Sequence, residues 1–425
     1  MNEALLHTIW KFRLLSQREF TGTRGEAIEV IAVGEHNQHS GPDFFNAKVS
    51  INLILLAGNV EIHIKTSDWL KHRHQYDKAY NNLVLHVVYE HDTELWQNEQ
   101  FNVSVLELKP LITPALIDVY RELEISAHKI PCGRSIALIP SFRWTAWLDR
   151  LALERLEHKA QYIAHVFDYT GNDLEETLYM LLCRNFGFKI NHEAFELLAK
   201  SLPYKILKRY ADNILRLEAL LFGVAGLLDE PFQDAYPRLL QNEFELLRHK
   251  HQLIPLHKEI WKFSKTRPVN FPTIRLSQLA HLFFKSQPLY HLLEELPASD
   301  RLKTFFQVGT HPYWETHFKF DTETQRAIKP LGKVAFNAVM INTVVPFLFF
   351  SASRSGYQPQ RDYAMDLLTG LDAEVNAKTS LFSELGIKAV NAMESQAQTE
   401  LYDSLCSKKA CLRCTVAEFL LKASL

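Results

Sequence analysis

Gly41-Pro42-Asp43-Phe44, and then Gly58-Asn59-Val60-Glu61-Ile62-His63-Ile64-Lys65, decide how this chain reads. In the second stretch polar and apolar residues alternate. Side chains on a strand point to opposite faces in turn, so Glu61, His63 and Lys65 share one face while Val60, Ile62 and Ile64 share the other. Gly58 and the run Ile51–Leu56 fit a hairpin with the strand that starts after Asp43. Asp43 then opens one strand and Glu61 lies on its neighbour. Working outward, Ala27–Val33, Phe44–Asn52, Leu53–Lys65, Leu83–Tyr89 and Asn102–Leu108 read as strands rich in Val, Ile or alternation. Leu5, Leu6, Ile9, Trp10 and Leu14 recur at helical spacing within Met1–Leu14, and a second helix is expected over Ser67–Asn82.

The resulting order is helix, three strands, helix, strand, with an acid opening one strand and Glu-x-polar on the next. It resembles the core of the PD-(D/E)XK nuclease fold. That resemblance implies Mg²⁺ held by Asp43 and Glu61, with a third polar side chain handling the attacking water. Two departures stand out. His63 occupies the position of the usual lysine, and Lys65 is displaced by two residues along the same face. A neutral imidazole, with a reference pKa of ~6.5, can serve as a base near neutrality. The same residues also read as the solvated face of an amphipathic hairpin.

The wider segment adds Ser67-Asp68-Trp69, His72-x-His74-x-x-Asp77-x-x-Tyr80 and Leu85-His86-Val87-Val88. Together with Gly-Pro-Asp-Phe and Gly-Asn-Val-Glu-Ile-His, it resembles a bacterial family called domain of unknown function 2851. The resemblance extends along most of the chain, through Arg267-Pro268-x-Asn270-Phe271-Pro272 and Arg275 to the terminal cysteines. It implies membership and little about activity.

Beyond about Thr113 the pattern changes to long helical periodicity. Helices are expected over Ser141–Phe167, Asp173–Asn185, Ala194–Leu202, Lys205–Phe222, Phe244–Lys262 and Ile274–Ser286. The expected class is α+β: a restriction-endonuclease-like α/β domain over 1–110, then a larger all-α domain over 111–425. The 425 residues are 47% hydrophobic and 23% charged with a net charge of -2, which excludes disordered and collagenous classes. Residues 1–110 carry 10 Lys+Arg against 14 Asp+Glu. Neither part is strongly basic, so any nucleic-acid contact must rest on local groups. Met1–Leu14 is broken by charges and reads as an amphipathic helix rather than a leader. Ala338–Phe350 is too short for a membrane span of ~20 residues and reads as a buried helix. A cytoplasmic, non-membrane protein is the expectation; the oligomeric state is open.

Three further groups invite chemistry. His72, His74 and Asp77 could form a zinc hydrolase centre. On a helix, however, residues two apart point in different directions, so a shared ion requires a break in the helix there. Arg267 and Arg275 flank a helix start and could read nucleic-acid phosphate; alternatively they cap and close a turn. Cys406, Cys411 and Cys414 are spaced Cys-x4-Cys-x2-Cys, and Cys132 lies far upstream. These four could hold zinc or an iron–sulfur cluster, or serve as reduced packing thiols. The leading function is a Mg²⁺-dependent phosphodiesterase acting on nucleic acid. The alternatives are the zinc hydrolase and a non-catalytic interaction protein that keeps the fold.

Overall fold

Asn2 begins the first helix, its side chain accepting the N–H of Leu5 at 2.9 Å. In the computed structural model, which describes residues 1–425 except 16, 18, 38, 96–102 and 286–287, this helix is α1 (Glu3–Lys11). It buries Leu5, Leu6, Ile9 and Trp10 against Phe44, Val49, Val60, Ile62, Leu85 and Val87 of a sheet. Burial on this scale contributes roughly 1.5–3 kcal/mol per large side chain.

The sheet comprises β1 (Glu19–Thr21), β2 (Ala27–Ala32), β3 (Glu35–His36), β4 (Phe44–Ile51), β5 (Ile54–Lys65), β6 (Leu83–Glu90) and β7 (Ser104–Glu107). The spatial order is β1-β2-β4-β5-β6-β7, and β3 also pairs with β4. Strands β1 to β5 pair antiparallel; β5, β6 and β7 run parallel. The β4–β5 hairpin turns at Asn52 (φ 49°) and Leu53 (φ 67°), both with the positive φ that a two-residue type I′ turn demands. Gly58 is needed where β5 meets the start of β6, since a Cβ there would come within 2.5 Å of the Asn82 carbonyl oxygen.

Each expected strand of the sheet is present within a few residues, although Asn102 lies outside the described residues. The expected helix over Ser67–Asn82 is not. That crossover holds one helical turn, α2 (Asp68–Lys71), and two 3₁₀ turns, His74–Tyr76 and Lys78–Tyr80. Arg73 breaks the helix with φ 61°, and the Asp77 carboxylate accepts the Ala79 N–H at 2.9 Å to start the next turn. Buried Trp69 and Tyr80 anchor the segment in a cluster with Leu83, Val88, Val103 and Val105.

The chain forms two compact units. The first is Met1–Trp147 with Ala377–Lys388 and Gln398–Leu425; the second is Leu148–Asn376 with Ala389–Ala397. The protein is thus mixed α+β, with an N-terminal sheet and a larger helical region.

Helices of the second unit include Leu174–Phe186, Phe188–Ser201, Ile214–Val224, Ala235–His251 and Pro272–Phe283. Two expected boundaries move. Lys205–Phe222 is split because Asn213 caps a new helix by accepting the Arg216 N–H. The helix expected over Phe244–Lys262 ends earlier, at left-handed Gln252. This unit is also not wholly helical: His317–Lys319 pairs with Thr322–Glu323 as a small hairpin. The buried apolar stretch lies in a helical run, Lys333–Ser355, that is long and apolar enough to cross a membrane by length and composition. Here 67% of its apolar window is buried inside the protein. A wide π-turn at Met340–Val344 precedes Pro346, which has no N–H to donate.

Candidate metal centre

Asp43 and Glu61 meet across the β4–β5 pair. The Asp43 N–H donates to Glu61 Oε2 at 3.1 Å, and the Ile62 N–H donates to Asp43 Oδ2 at 2.9 Å. The loop before β4 aims Asp43. Gly41 (φ 101°) turns the chain, and the Asn37 amide donates to the carbonyls of His39, Ser40 and Pro42. Just after Asp43 the β4–β5 register shifts between Phe44 and Ala47, where Asn46 has φ 56°. Such a bulge re-aims the side chains beside it. From α1, His7 brings Nε2 to 3.2 Å from Asp43 Oδ2. His36 of β3 stacks on Phe44 at 4.9 Å and meets the His7 ring edge at 5.4 Å.

On the other side of Glu61 stands a group of imidazoles. Glu61 Oε1 lies 3.5 Å from His63 Nε2 and 3.4 Å from His74 Nε2. His63 Nε2 is 3.2 Å from His72 Nδ1, and His63 Nδ1 is 2.9 Å from His86 Nε2. One nitrogen each from His63, His72 and His74 falls within 4.8 Å of the others, close enough to share an ion. His72 and His74 converge because left-handed Arg73 sits between them. That is the break in the helix their spacing required. His86 is fully buried and engages His63 Nδ1, leaving Nε2 turned toward Glu61 and His72. Metal-ligating imidazoles are commonly oriented in this way through their second nitrogen. The His74 ring packs on Tyr80 at 4.0 Å.

Burial, reinforced by the charge of Asp43, pushes the Glu61 carboxyl up to about 9. Burial, then the neighbouring His74 and His72, pushes His63 down to about 4. His74 is lowered by burial and His72, and His86 is lowered well below its ordinary value by burial first and His63 second. Burial thus favours the neutral form of His63, His74 and His86, and the neutral imidazole is the form that binds metals. Two buried nitrogens, His74 Nε2 and His7 Nε2, make no hydrogen bond, although each lies within ion-pair distance of a carboxylate oxygen. Neither is aligned to donate along that line. A cation between the carboxylates and the imidazoles of His63, His72 and His74 would give His74 Nε2 a partner.

Of the residues singled out in the sequence, Asp43, Glu61, His63, His72 and His74 come together. Lys65 does not join them. It is exposed at the end of β5, where its charge acts on Glu90 and Asp92. Asp77 is occupied as a cap. Arg275 is buried, its guanidinium donating to Gln278 and Asn270 and lying over the Phe188 ring. It therefore cannot offer phosphate the open surface expected of it, whereas Arg267 is exposed. Cys132, Cys406, Cys411 and Cys414 all belong to the first unit; Cys183 is buried in the second. The sequence reading missed His7, His36 and Glu3, whose charge also raises Glu61. The available signal was Glu3 and His7, one turn apart on a helix otherwise packed by Leu and Trp.

A family profile described as protein of unknown function (DUF2851) matches residues 3–377, and the chain belongs to that family. No curated protein and no solved structure matches it.

Proposed function

We propose that this member of the domain of unknown function 2851 family is a metal-dependent phosphodiesterase that cleaves nucleic acid. The observation that carries the reading is the reciprocal clasp of Asp43 and Glu61 from adjacent antiparallel strands. It occurs on a sheet whose next strand is parallel and reached by a crossover, which supports a likeness to the PD-(D/E)XK core. Asp43 and Glu61 would hold a divalent cation, with His63, His72 and His74 as nitrogen donors. The carboxylates suit Mg²⁺ or Mn²⁺; the imidazoles draw the preference toward Mn²⁺ or Zn²⁺. A bound cation supplies charge stabilisation on the phosphate and acidifies water.

The chain's own residues divide the remaining work. His63 is a holder rather than the base, because both of its nitrogens are engaged and it is only 2% exposed. His7, part-exposed beside Asp43, is the imidazole placed to take a proton from an attacking water. Lys65 has no part in the reaction.

The histidine trio favours one second reading, a zinc hydrolase acting on other esters. The test uses purified protein with Mg²⁺, Mn²⁺ or Zn²⁺ on labelled single- and double-stranded DNA and RNA. Cleavage with at least one ion, lost in Asp43→Asn and Glu61→Gln, is expected. Zinc-dependent hydrolysis of simple esters with intact nucleic acid would favour the second reading. Binding of an ion without any hydrolysis would leave the non-catalytic alternative.

A further inference from the structure

The crossover between β5 and β6 supplies two of the three converging imidazoles, His72 and His74. Between its anchors Trp69 and Tyr80, every residue but His74 is exposed. His74 turns inward onto the Tyr80 ring at 4.0 Å, whereas Tyr76, two residues on, is 81% exposed. Lys71, Arg73 and Lys78 are exposed as well. These three cations stand against two acids of the segment, Asp68 and Asp77, and both acids are occupied. Asp68 accepts the Lys65 N–H at 3.0 Å and lies 3.5 Å from the Lys71 ammonium, and Asp77 accepts the Ala79 N–H. Among the described residues, neither Arg73 nor Lys78 has a carboxylate within ion-pair distance.

Arg73 sets this segment apart from an ordinary solvated loop. It holds φ 61°, the left-handed region in which a Cβ is penalised. Glycine or asparagine would make the same break between His72 and His74 at lower cost. What arginine adds is a guanidinium, planar and permanently charged, that pairs with phosphate through two hydrogen bonds. Its Cα lies ~3.8 Å from those of both neighbouring histidines, so it borders any phosphate that an ion at the trio would hold. The Tyr76 N–H donates to the Arg73 carbonyl at 3.1 Å, so one tight turn separates the cation from the exposed ring. Proteins that hold single strands combine cations along the backbone with aromatic faces for the bases. In a duplex each base is stacked on its neighbours and has no free face for such a ring.

We propose that the crossover is the substrate grip of this centre and selects single-stranded nucleic acid, with Arg73 and Lys78 on phosphates and Tyr76 stacked on an unpaired base. The inference rests on the nuclease reading of the centre and adds to it the form of the substrate.

The experiment measures binding of fluorescent oligo(dT), oligo(U) and a DNA duplex of equal length by anisotropy. Chelator is present, so that no strand is cut. A single strand should bind at least about 10-fold more tightly than the duplex, and the tighter of the two identifies the sugar. Tyr76→Ala should weaken that binding at least about 5-fold while Tyr76→Phe keeps it, since stacking needs the ring and not the hydroxyl. Arg73→Gly should weaken it too, and should lower the slope of log affinity against log salt by about 0.7, the share of one phosphate. The same variant should melt no lower than the native protein, because glycine adopts φ 61° freely. A lower Tm with an unchanged salt slope would make Arg73 a structural residue and overturn the proposal. Equal binding of strand and duplex, binding of neither, or variants that bind as the native protein does would overturn it as well. Cutting is read separately: strand binding of the expected pattern without hydrolysis by any ion would count against the nuclease reading alone. Duplex cleavage that Tyr76→Ala leaves intact would sink the grip and spare the nuclease.

Discussion

Replacing Glu61 by Gln should make the cation-free protein more stable while removing its response to a divalent ion. The sign follows from the carboxyl's environment. An ordinary glutamate titrates near 4.5, whereas the buried Glu61 is pushed up to about 9. Between those values the native state holds a proton that the unfolded chain releases. Stability therefore falls as pH rises through this window, and the penalty is absent below the unfolded value. At neutral pH the gap is about 2.5 pH units, which at about 1.4 kcal/mol each costs roughly 3 kcal/mol. Glutamine does not titrate. Its carbonyl can still accept the Asp43 N–H, and its amide can face His63 and His74. Urea melts in chelator should then show Glu61→Gln more stable by about 3 kcal/mol at neutral pH, with the gain shrinking toward pH ~4.5. In parallel, Mn²⁺ should raise the Tm of the native sequence and leave that of the variant unchanged. A variant destabilised at neutral pH in chelator would mean that Glu61 is a structural carboxylate. An equal Mn²⁺ shift in both proteins would remove it as a ligand. Either outcome refutes the reasoning.

Other expectations follow from single contacts. His72→Ala should weaken Zn²⁺ or Mn²⁺ binding at least ~10-fold by calorimetry, since it removes one of three converging imidazoles. His7→Ala should lower the rate of cleavage far more than it lowers metal affinity, because His7 borders the carboxylates without belonging to the trio. Gly58→Ala should cost on the order of 1–3 kcal/mol in urea melts, because its Cβ would meet the Asn82 carbonyl oxygen at 2.5 Å. In the second unit, Glu218 is fully buried between Ser277 and Tyr236, and burial pushes it up to about 7. Native stability should thus fall as pH rises from about 4.5 to about 7, by roughly 3 kcal/mol, and Glu218→Gln should flatten that slope.

What was legible in the sequence was whatever depends on period. Alternation in β5 fixed which residues face α1 and which face the imidazoles, because a slip of one residue would exchange the apolar and polar faces, although Gly58 to His63 are buried on both. The turn at Asn52-Leu53 sets the register only as far as Ala47 and Gly58; the irregularity between Phe44 and Ala47, which no period announces, shifts it by one so that Phe44 pairs with Val60 and Asp43 comes beside Glu61. The crossover was not legible. Ser67–Asn82 has helical composition, yet Arg73 adopts a left-handed backbone and Asp77 caps a second turn, so tertiary anchoring by Trp69 and Tyr80 overrides local preference. His7 was hidden for a different reason. Periodicity marks the buried stripe of α1 but does not say which residue beside that stripe reaches Asp43 at the start of β4. Arg275 shows the converse: a charged residue at a helix start that the fold takes inside and satisfies with Asn270 and Gln278.

The polar groups around Glu61 make poor sense as scaffolding. A carboxyl forced to keep its proton, His63 forced to stay neutral, and buried nitrogens on His74 and His7 without hydrogen bonds each work against folding. Apolar side chains of similar volume would pack between Trp69, Tyr80 and Val88 without those costs. One positive ion held between Asp43, Glu61 and the three imidazoles relieves all of these but His7 together. It favours the charged carboxylate, uses the neutral imidazole lone pairs, and gives His74 Nε2 a partner. That common remedy separates a binding centre from a set of unrelated buried polar residues. It also makes cation-induced stabilisation, rather than catalysis, the first measurement on which the reading stands or falls.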